Sequence, residues 1–349
     1  GWVNQGYATT TPRFFGQVPQ LFRDGTIPLD VAFINCSLPD SEGFVSFGVS
    51  ADLTPSAVEK ARIIVAQINP LMPFTYGDSV IHSSCIDAMV KVNDPLAETV
   101  DTPPTPEELA IGRAIAELLP DGAVLQVGVG AIPNAVLHSL KSHRHLGIHS
   151  EALTEGLMDL MEAGVVDNSL KQIERGRSVA SLVLGTRRLY DFVGHNRDIV
   201  MRDIAWVNDP FIIAQNHNMA AINSCLEIDL SGQVCADSIG TRIYSGVGGQ
   251  HDFVYGSSRS TGGQSFIAML STTSKGQSKI RPVLTQGAGV VTTRFQTNWV
   301  VTEYGAVNLR GKNMIERARL LISIAAPQFR EKLDREAFNM LGYAYRRWR

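Results

Sequence analysis

Residues 123–165 read AVLQVGVGAIPNAVLHSLKSHRHLGIHSEALTEGLMDLMEAGV. AVLQVGVG is an apolar run that ends in glycines, and PNAVLHSLKSH carries apolar residues at helical spacing. HLGIHS is a second short apolar run, and LTEGLMDLMEAGV a second helical pattern. Strand, helix, strand, helix in this order is a parallel βαβα arrangement, because parallel neighbours need a crossover between them. The stretch predicts an α/β fold with mostly parallel sheets.

Upstream, LDVAFINCS and FVSFGVS read as strands around the turn LPDSEG, and SAVEKARIIVAQI as an amphipathic helix. Residues 93–108, NDPLAETVDTPPTPEE, are rich in Pro, Thr and acid and precede the helical pattern EELAIGRAIAELL, so a boundary is expected there, between domains spanning 1–98 and 99–349. Downstream, MAAINSCLEIDLSGQVCADSIG echoes VAFINCSLPDSEGFVSFG, with an Ile-Asn ending an apolar run before a turn, which hints at two related domains. A glycine cluster at 246–263, strands GVVTTRF and NWVVTEYG, and helices NMIERARLLISIA and APQFREKLDREAFNML complete the chain.

The chain has 349 residues, enough for two cores, with 44% hydrophobic and 19% charged residues. A net charge of −3 supplies no basic field for nucleic acid or an anionic membrane. No apolar run reaches membrane-spanning length, and the N-terminal GWVNQGYATTTPRFF has no secretory pattern. Cys36, Cys85, Cys225 and Cys235 lack CxxC spacing, which suits reduced thiols in the cytoplasm. His143 and His145 stand in no HExxH or Cys/His ligand pattern, so no metal site is expected. The GxSxG and GxxxxGK[ST] motifs are absent.

Gly128 and Gly130 fall at a strand-to-helix turn, where backbone N–H groups approach an anion at a helix N-terminus. Pro133 suits the first turn of that helix. A dinucleotide fold would place an acid about 20 residues on, near Glu151, but it lacks its third glycine here, and a purely structural turn is the other alternative. Glu151 follows HLGIHS at the carboxyl end of a parallel strand, where open α/β sheets bind ligands. Glu155 lies inside the next helix, where the helix dipole accounts for an acid. Gly246, Gly248 and Gly249 could aim N–H groups at an oxyanion or simply shape a loop. Asp237 and Glu303 are rival acids near strand ends, and Glu303 is expected to pair with Arg310 or Lys312.

Four blocks in order, QVGVGAIPNAVL, LGIHSEALTEGLMDL, YSGVGGQHDF and VTEYGAVNLRGKNMIERARLLISIAAPQFRE, resemble the acetyl-CoA hydrolase/transferase family, with the 4-hydroxybutyrate CoA-transferases as the nearest group. The resemblance covers almost the whole chain and implies two CoA-transferase-type α/β domains, the N-terminal one incomplete. It implies Glu151 as nucleophile and Asn208 (in VNDP) and Gly246 as oxyanion-stabilising groups. Gly128, Val129, Gly130, Ala131 and Ile132 would contact coenzyme A, with Asn223 and Gln250 as further contacts. Coenzyme A and acyl-CoA are then substrates rather than tightly bound cofactors. Short-chain carboxylates are the other partners, and a homodimer is expected. An acyl-CoA hydrolase using the same glutamate and a non-catalytic acyl-CoA-binding protein are the alternatives.

Overall fold

The computed structural model describes residues 2–347. Its first sheet has three parallel strands, β1 (Val31–Cys36), β2 (Ile63–Ile68) and β3 (Ala88–Lys91), in the order β1-β2-β3. Helix α1 (Thr54–Lys60) stops before β2, so SAVEKARIIVAQI is not one helix. The reason is legible afterwards: IIVAQI is β-branched and alternates exposed and covered positions, a period of two that suits a strand. The sheet buries Ala32, Ile34, Ile64 and Ala66, while Phe33 on the opposite face is 81% exposed, so its cover is one-sided.

The second sheet has six strands: β4 (Val124–Val127), β5 (Gly147–Ile148), β6 (Met219–Ser224), β7 (Gln264–Ala268), β8 (Trp299–Thr302) and β9 (Gly305–Asn308). Their order is β9-β8-β7-β6-β4-β5, parallel except for the β8–β9 hairpin. β4 is buried at every position and β6 at all but its last, as expected when helices or loops cover both faces of a parallel sheet. The Ile-Asn echo falls on β1 and β6, although β1 is an edge strand and β6 a central one. GVVTTRF forms no strand. Its one ladder contact is an isolated bridge from Thr292 to Val234, because adjacent threonines and an arginine leave no alternating apolar face.

Helix α2 (Pro106–Ala116) starts on a capping box in which Thr105 and Glu108 exchange side-chain and backbone bonds, with Pro106 in the first turn. Residues 92–105 before it carry no helix or strand. α2 packs on α3 (Ala131–Ser139), the crossover between β4 and β5. Gly112 makes the close approach possible: a Cβ there would overlap the Ala135 carbonyl and lie 2.9 Å from Ser139 Oγ. Leu125, Leu137, Ile148, Leu153 and Leu157 fill one core with Ile111 and Ile115 of α2. Each such side chain contributes roughly 1.5–3 kcal/mol by leaving water.

Glu155 opens α4 (Glu155–Glu162), and helices α5 (Ile204–Val207), α6 (Gln250–Arg259), α7 (Met314–Ser323) and α8 (Pro327–Leu341) follow. Among the described residues no helix is long and apolar enough to cross a membrane. Gly112→Ala is expected to destabilise the protein by about 1–3 kcal/mol through overpacking, seen as a lower thermal midpoint with an unchanged circular-dichroism spectrum. An unchanged midpoint would show that α2 and α3 can separate without cost.

Candidate active site

Strand β5 is two residues long, and the chain after it leaves the six-stranded sheet. His149 bridges Val179, and the Ser150 N–H donates to the Val179 carbonyl at 3.1 Å. The Glu151 carbonyl then accepts the N–H groups of Ser181 and Leu182, each at 3.0 Å. These bonds fix the Glu151 backbone, and the strand Ala152–Thr154, paired in parallel with Leu182–Leu184, carries the chain into α4. Beneath β5 the buried Lys171 ammonium donates to the Ile148 carbonyl at 2.8 Å and the Arg177 carbonyl at 2.6 Å.

The partly buried Glu151 carboxylate accepts a hydrogen bond from Asn208 Nδ2 to Oε2 at 2.8 Å, and Oε1 has no protein donor among the described residues. Burial raises the Glu151 pKa from its ordinary value, the Asn208 bond opposes this, and nearby Asp52 adds repulsion. Asn208 sits at the C-terminal end of α5, where its N–H caps the Ile204 carbonyl at 2.9 Å. Asp203 caps the other end through Ala205, and the Ile204 N–H donates to the Asp52 carbonyl at 3.1 Å. The first hundred residues therefore help to place α5.

His149 ties the two segments together. It is fully buried, with Nε2 bonded to the Val207 carbonyl at 2.8 Å and the ring stacked on Trp206 at 5.5 Å. Since a carbonyl only accepts, Nε2 carries the proton, and Nδ1 is left to accept from Asn216 Nδ2 at 3.4 Å. Burial, with the Lys171 charge nearby, pushes the ring pKa down to about 3, so the imidazole is neutral at working pH. A neutral ring bonds the residue before Asn208 from a position two residues before Glu151.

Gly249, the N-cap of α6, completes the pair: a Cβ there would overlap both Glu151 Oε2 and Asn208 Nδ2. The GG doublet was the only sequence signal for it. Gly246 is exposed, with nothing within 4 Å of a Cβ built on it, so contact with the pair falls to Gly249 rather than to Gly246. Gly16 packs against Asn208, where a Cβ on Gly16 would lie 2.8 Å from Asn208 Cβ. The Phe15 N–H donates to the Gly248 carbonyl at 3.3 Å and Phe14 stacks on His251 at 4.3 Å.

Residues 128–132 form the turn from β4 into α3. The Gly128 N–H donates to the Ile222 carbonyl at 2.9 Å, Val129 is exposed, and Gly130 has φ +128°, a region that glycine tolerates. Ala131 is the first residue of α3. The Asn223 and Gln126 amides pair with each other at 2.9 and 3.3 Å. Gln250 bonds the Ser224 carbonyl at 2.7 Å and Thr292 Oγ1 at 3.1 Å. Both proposed contacts are thus held by the protein itself. Ile132 borders a cleft of about 500 Å³, lined also by Leu226, Ile239, Leu270, Lys275, Lys279 and Arg281.

Glu155 does not stand free at a helix start. Its carboxylate accepts from the N–H of Thr186 at 2.9 Å and from Thr186 Oγ1, and lies 3.6 Å from Arg188. Glu303 accepts from the Ser271 N–H at 2.8 Å and Ser271 Oγ at 2.6 Å, which corrects the pairing expected with Arg310 or Lys312. Lys312 instead faces Glu316 at 3.6 Å. Asp237 accepts from its neighbour Ser238 Oγ at 3.0 Å. His145 pairs with Asp167 at 2.7 Å, and among the described residues no cluster of three His, Cys, Asp or Glu is placed to hold a metal.

Two family models match the chain, the acetyl-CoA hydrolase/transferase N-terminal domain over residues 2–100 and the C-terminal domain over 185–337. The 4-hydroxybutyrate coenzyme A transferase of Clostridium kluyveri is 48% identical over 96% of this chain and 78% of its own length. The chain belongs to the acetyl-CoA hydrolase/transferase family. Another member, the succinyl-CoA:acetate/propanoyl-CoA:succinate CoA transferase of Fasciola hepatica, is 47% identical over 97% of this chain and 72% of its own. Among solved family structures, RipA from Yersinia pestis superposes with a TM-score of 0.93 at 40% identity, covering 97% of this chain and 78% of RipA. The 4-hydroxybutyrate CoA-transferase of Porphyromonas gingivalis gives 0.86 at 41%, covering 96% and 81%. The mixed α/β architecture with mostly parallel sheets is therefore that of solved CoA-transferases.

Because Gly249 stands against both groups of the pair, Gly249→Ala should lower kcat about 100-fold, the usual cost of a 1 Å displacement at a reacting centre, with little change in the thermal midpoint. Full activity in the alanine variant would show that the pair has room to shift.

Proposed function

We propose that this protein is a CoA-transferase that moves coenzyme A between an acyl-CoA, acetyl-CoA or similar, and a short-chain carboxylate such as 4-hydroxybutyrate or butyrate. The reaction is ping-pong and runs through a glutamyl-CoA thioester on Glu151. One observation carries the reading: a partly buried carboxylate is held through one oxygen by a buried amide, while its other oxygen has no protein partner among the described residues. The names of the relatives support coenzyme A transfer.

A carboxylate needs no general base to act as a nucleophile, and a pKa above the ordinary value makes it a stronger one. Oε1 attacks the acyl-CoA carbonyl, the CoA thiolate leaves, and an acyl-glutamyl anhydride remains. The thiolate then attacks the glutamyl carbonyl, whose oxygen is the Oε2 already bonded to Asn208, and the free acid departs. Asn208 thereby holds the oxyanion that forms on the glutamate itself. One such donor is worth roughly 3–4 kcal/mol in other acyl transfers. The acyl oxyanion of the first step falls to the backbone of the Gly246–Gly249 loop. A second carboxylate reverses both steps.

Lys275, Lys279 and Arg281 give the cleft beside Ile132 its positive charge. Arg281 faces Glu227 at 3.4 Å, whereas Lys279 is partly buried with no ion pair among the described residues. We place the phosphates of coenzyme A there, beside Ile132 of the turn at 128–132. Four unpaired cysteines support a cytoplasmic setting, and a homodimer remains part of this reading.

After incubation with acetyl-CoA, peptide mass analysis should find a coenzyme A adduct on Glu151. Glu151→Ala should abolish transfer, while Glu155→Ala should keep the chemistry and lose stability through its Thr186 bonds. An active enzyme with Glu151 unmodified would refute the mechanism. Release of coenzyme A at the same rate without a carboxylate acceptor would instead identify an acyl-CoA hydrolase. Lys279→Glu should lower kcat/KM for acyl-CoA about tenfold or more, the worth of one charge-assisted contact, and an unchanged value would move the phosphates elsewhere.

A further inference from the structure

Asp252, on the first turn of α6, has no part in the steps above. It is 5% exposed, and its Oδ2 is buried with no hydrogen-bond partner. Asn208 is 1% exposed, and its Oδ1 is likewise without a partner. The two side chains meet around Gly16: a Cβ on Gly16 would lie 2.8 Å from Asn208 Cβ and 3.4 Å from Asp252 Oδ2. The amide that holds the nucleophile is thus flanked by a second buried acid, and no cation is paired with either carboxylate among the described residues.

Two buried carboxylates at one site cannot both ionise freely. Burial raises the Asp252 pKa to about 7, and the charges of Glu151 and Asp209 add to it. The Gly16 N–H and the Asn208 amide lie near enough to pull the other way, although neither makes a well-formed hydrogen bond to Oδ2. Asp52 faces Glu151 from the first hundred residues. Among the described residues the charges that raise the Asp252 pKa are those of Glu151 and Asp209, and of these the reaction removes only that of Glu151.

Resting on the reading above, we propose that Asp252 is a positioning residue: it orients the Asn208 amide and gives up a proton when Glu151 loses its charge as the thioester. Glu151 carboxylate and acyl-CoA become glutamyl-CoA and the free carboxylate anion, so charge balances in that step. The lost neighbour then lets neutral Asp252 release its proton to solvent. The new carboxylate draws the Asn208 Nδ2 N–H groups toward the acids, the side on which they already meet Glu151 Oε2, ready for the next oxyanion. An amide between two carboxylates has one favourable orientation, because the reverse would set Oδ1 against charge.

The experiment is a pH titration of loading, with acetyl-CoA as donor and the Glu151 adduct read by mass spectrometry. Loading releases a proton only while Asp252 is still protonated in the free enzyme, so the loaded-to-free ratio should climb as pH rises toward about 7 and level off above it, with a slope of up to about tenfold per pH unit. In Asp252→Asn the slope should fall to the part that the proton affinity of Glu151 itself supplies. The kcat of that variant should also drop about tenfold with KM for acetyl-CoA nearly unchanged, and Asp252→Glu should restore the slope in part. Adduct formation that is independent of pH in the wild-type protein, or the same slope in Asp252→Asn, would overturn the role of Asp252 and leave the glutamyl route standing. Absence of any adduct would overturn both. A wild-type ratio that does not change with pH overturns the role of Asp252 even if neither variant folds.

Discussion

The hydrogen bond from buried His149 to the Val207 carbonyl sets the geometry on which the site depends. It joins the segment that leaves β5 to the helix that presents Asn208, and it does so between groups that carry no net charge. An imidazole held near a pKa of 3 does not change its bonding over the pH range in which a carboxylate nucleophile works. Around this tie the Glu151 carbonyl takes two N–H groups, and Lys171 braces the strand from below. The Glu151 carboxylate keeps one oxygen without a donor among the described residues.

That incompleteness is the chemical resource. A carboxylate fully bonded and exposed would be a stable anion and a poor nucleophile, and one buried with no bond would take up a proton. Glu151 lies between these limits, with one oxygen on an amide and one free. Glu155 shows the opposite outcome four residues later. Its bonds to Thr186 and contact with Arg188 satisfy the charge, so it serves to fasten α4 to the neighbouring loop. The distinction between two glutamates of similar appearance is a matter of partners.

Much of the architecture was legible because parallel strands buried on both faces read as short apolar runs, and the turn residues between them are chemically distinctive. The β4-α3-β5 unit and the helices after residue 313 follow that logic. The misreadings have equally local causes. The apolar residues of SAVEKARIIVAQI fit a helical period until the β-branched Ile63–Val65 run is given its weight, and GVVTTRF has strand propensity but no partner strand. The site was partly legible too: position after a strand singled out Glu151, and the glycine doublet pointed to the loop of Gly249. His149, Asp252 and Gly16 gave no signal, since a lone histidine, aspartate or glycine is most often structural.

By itself the sequence determined the class of fold, the strand-helix-strand order of residues 124–148, and the presence of a glutamate after a strand, but not the short strand Ala152–Thr154 that follows it. Those properties depend on periodicity and on neighbours along the chain. Tertiary structure decided which glycine, amide and acids surround that glutamate, because they come from residues 16, 52, 208, 249 and 252, separated by long stretches of chain. Burial, the opposing Asn208 hydrogen bond and charge repulsion arise only when such groups are brought together, and these effects set the proton affinity of Glu151.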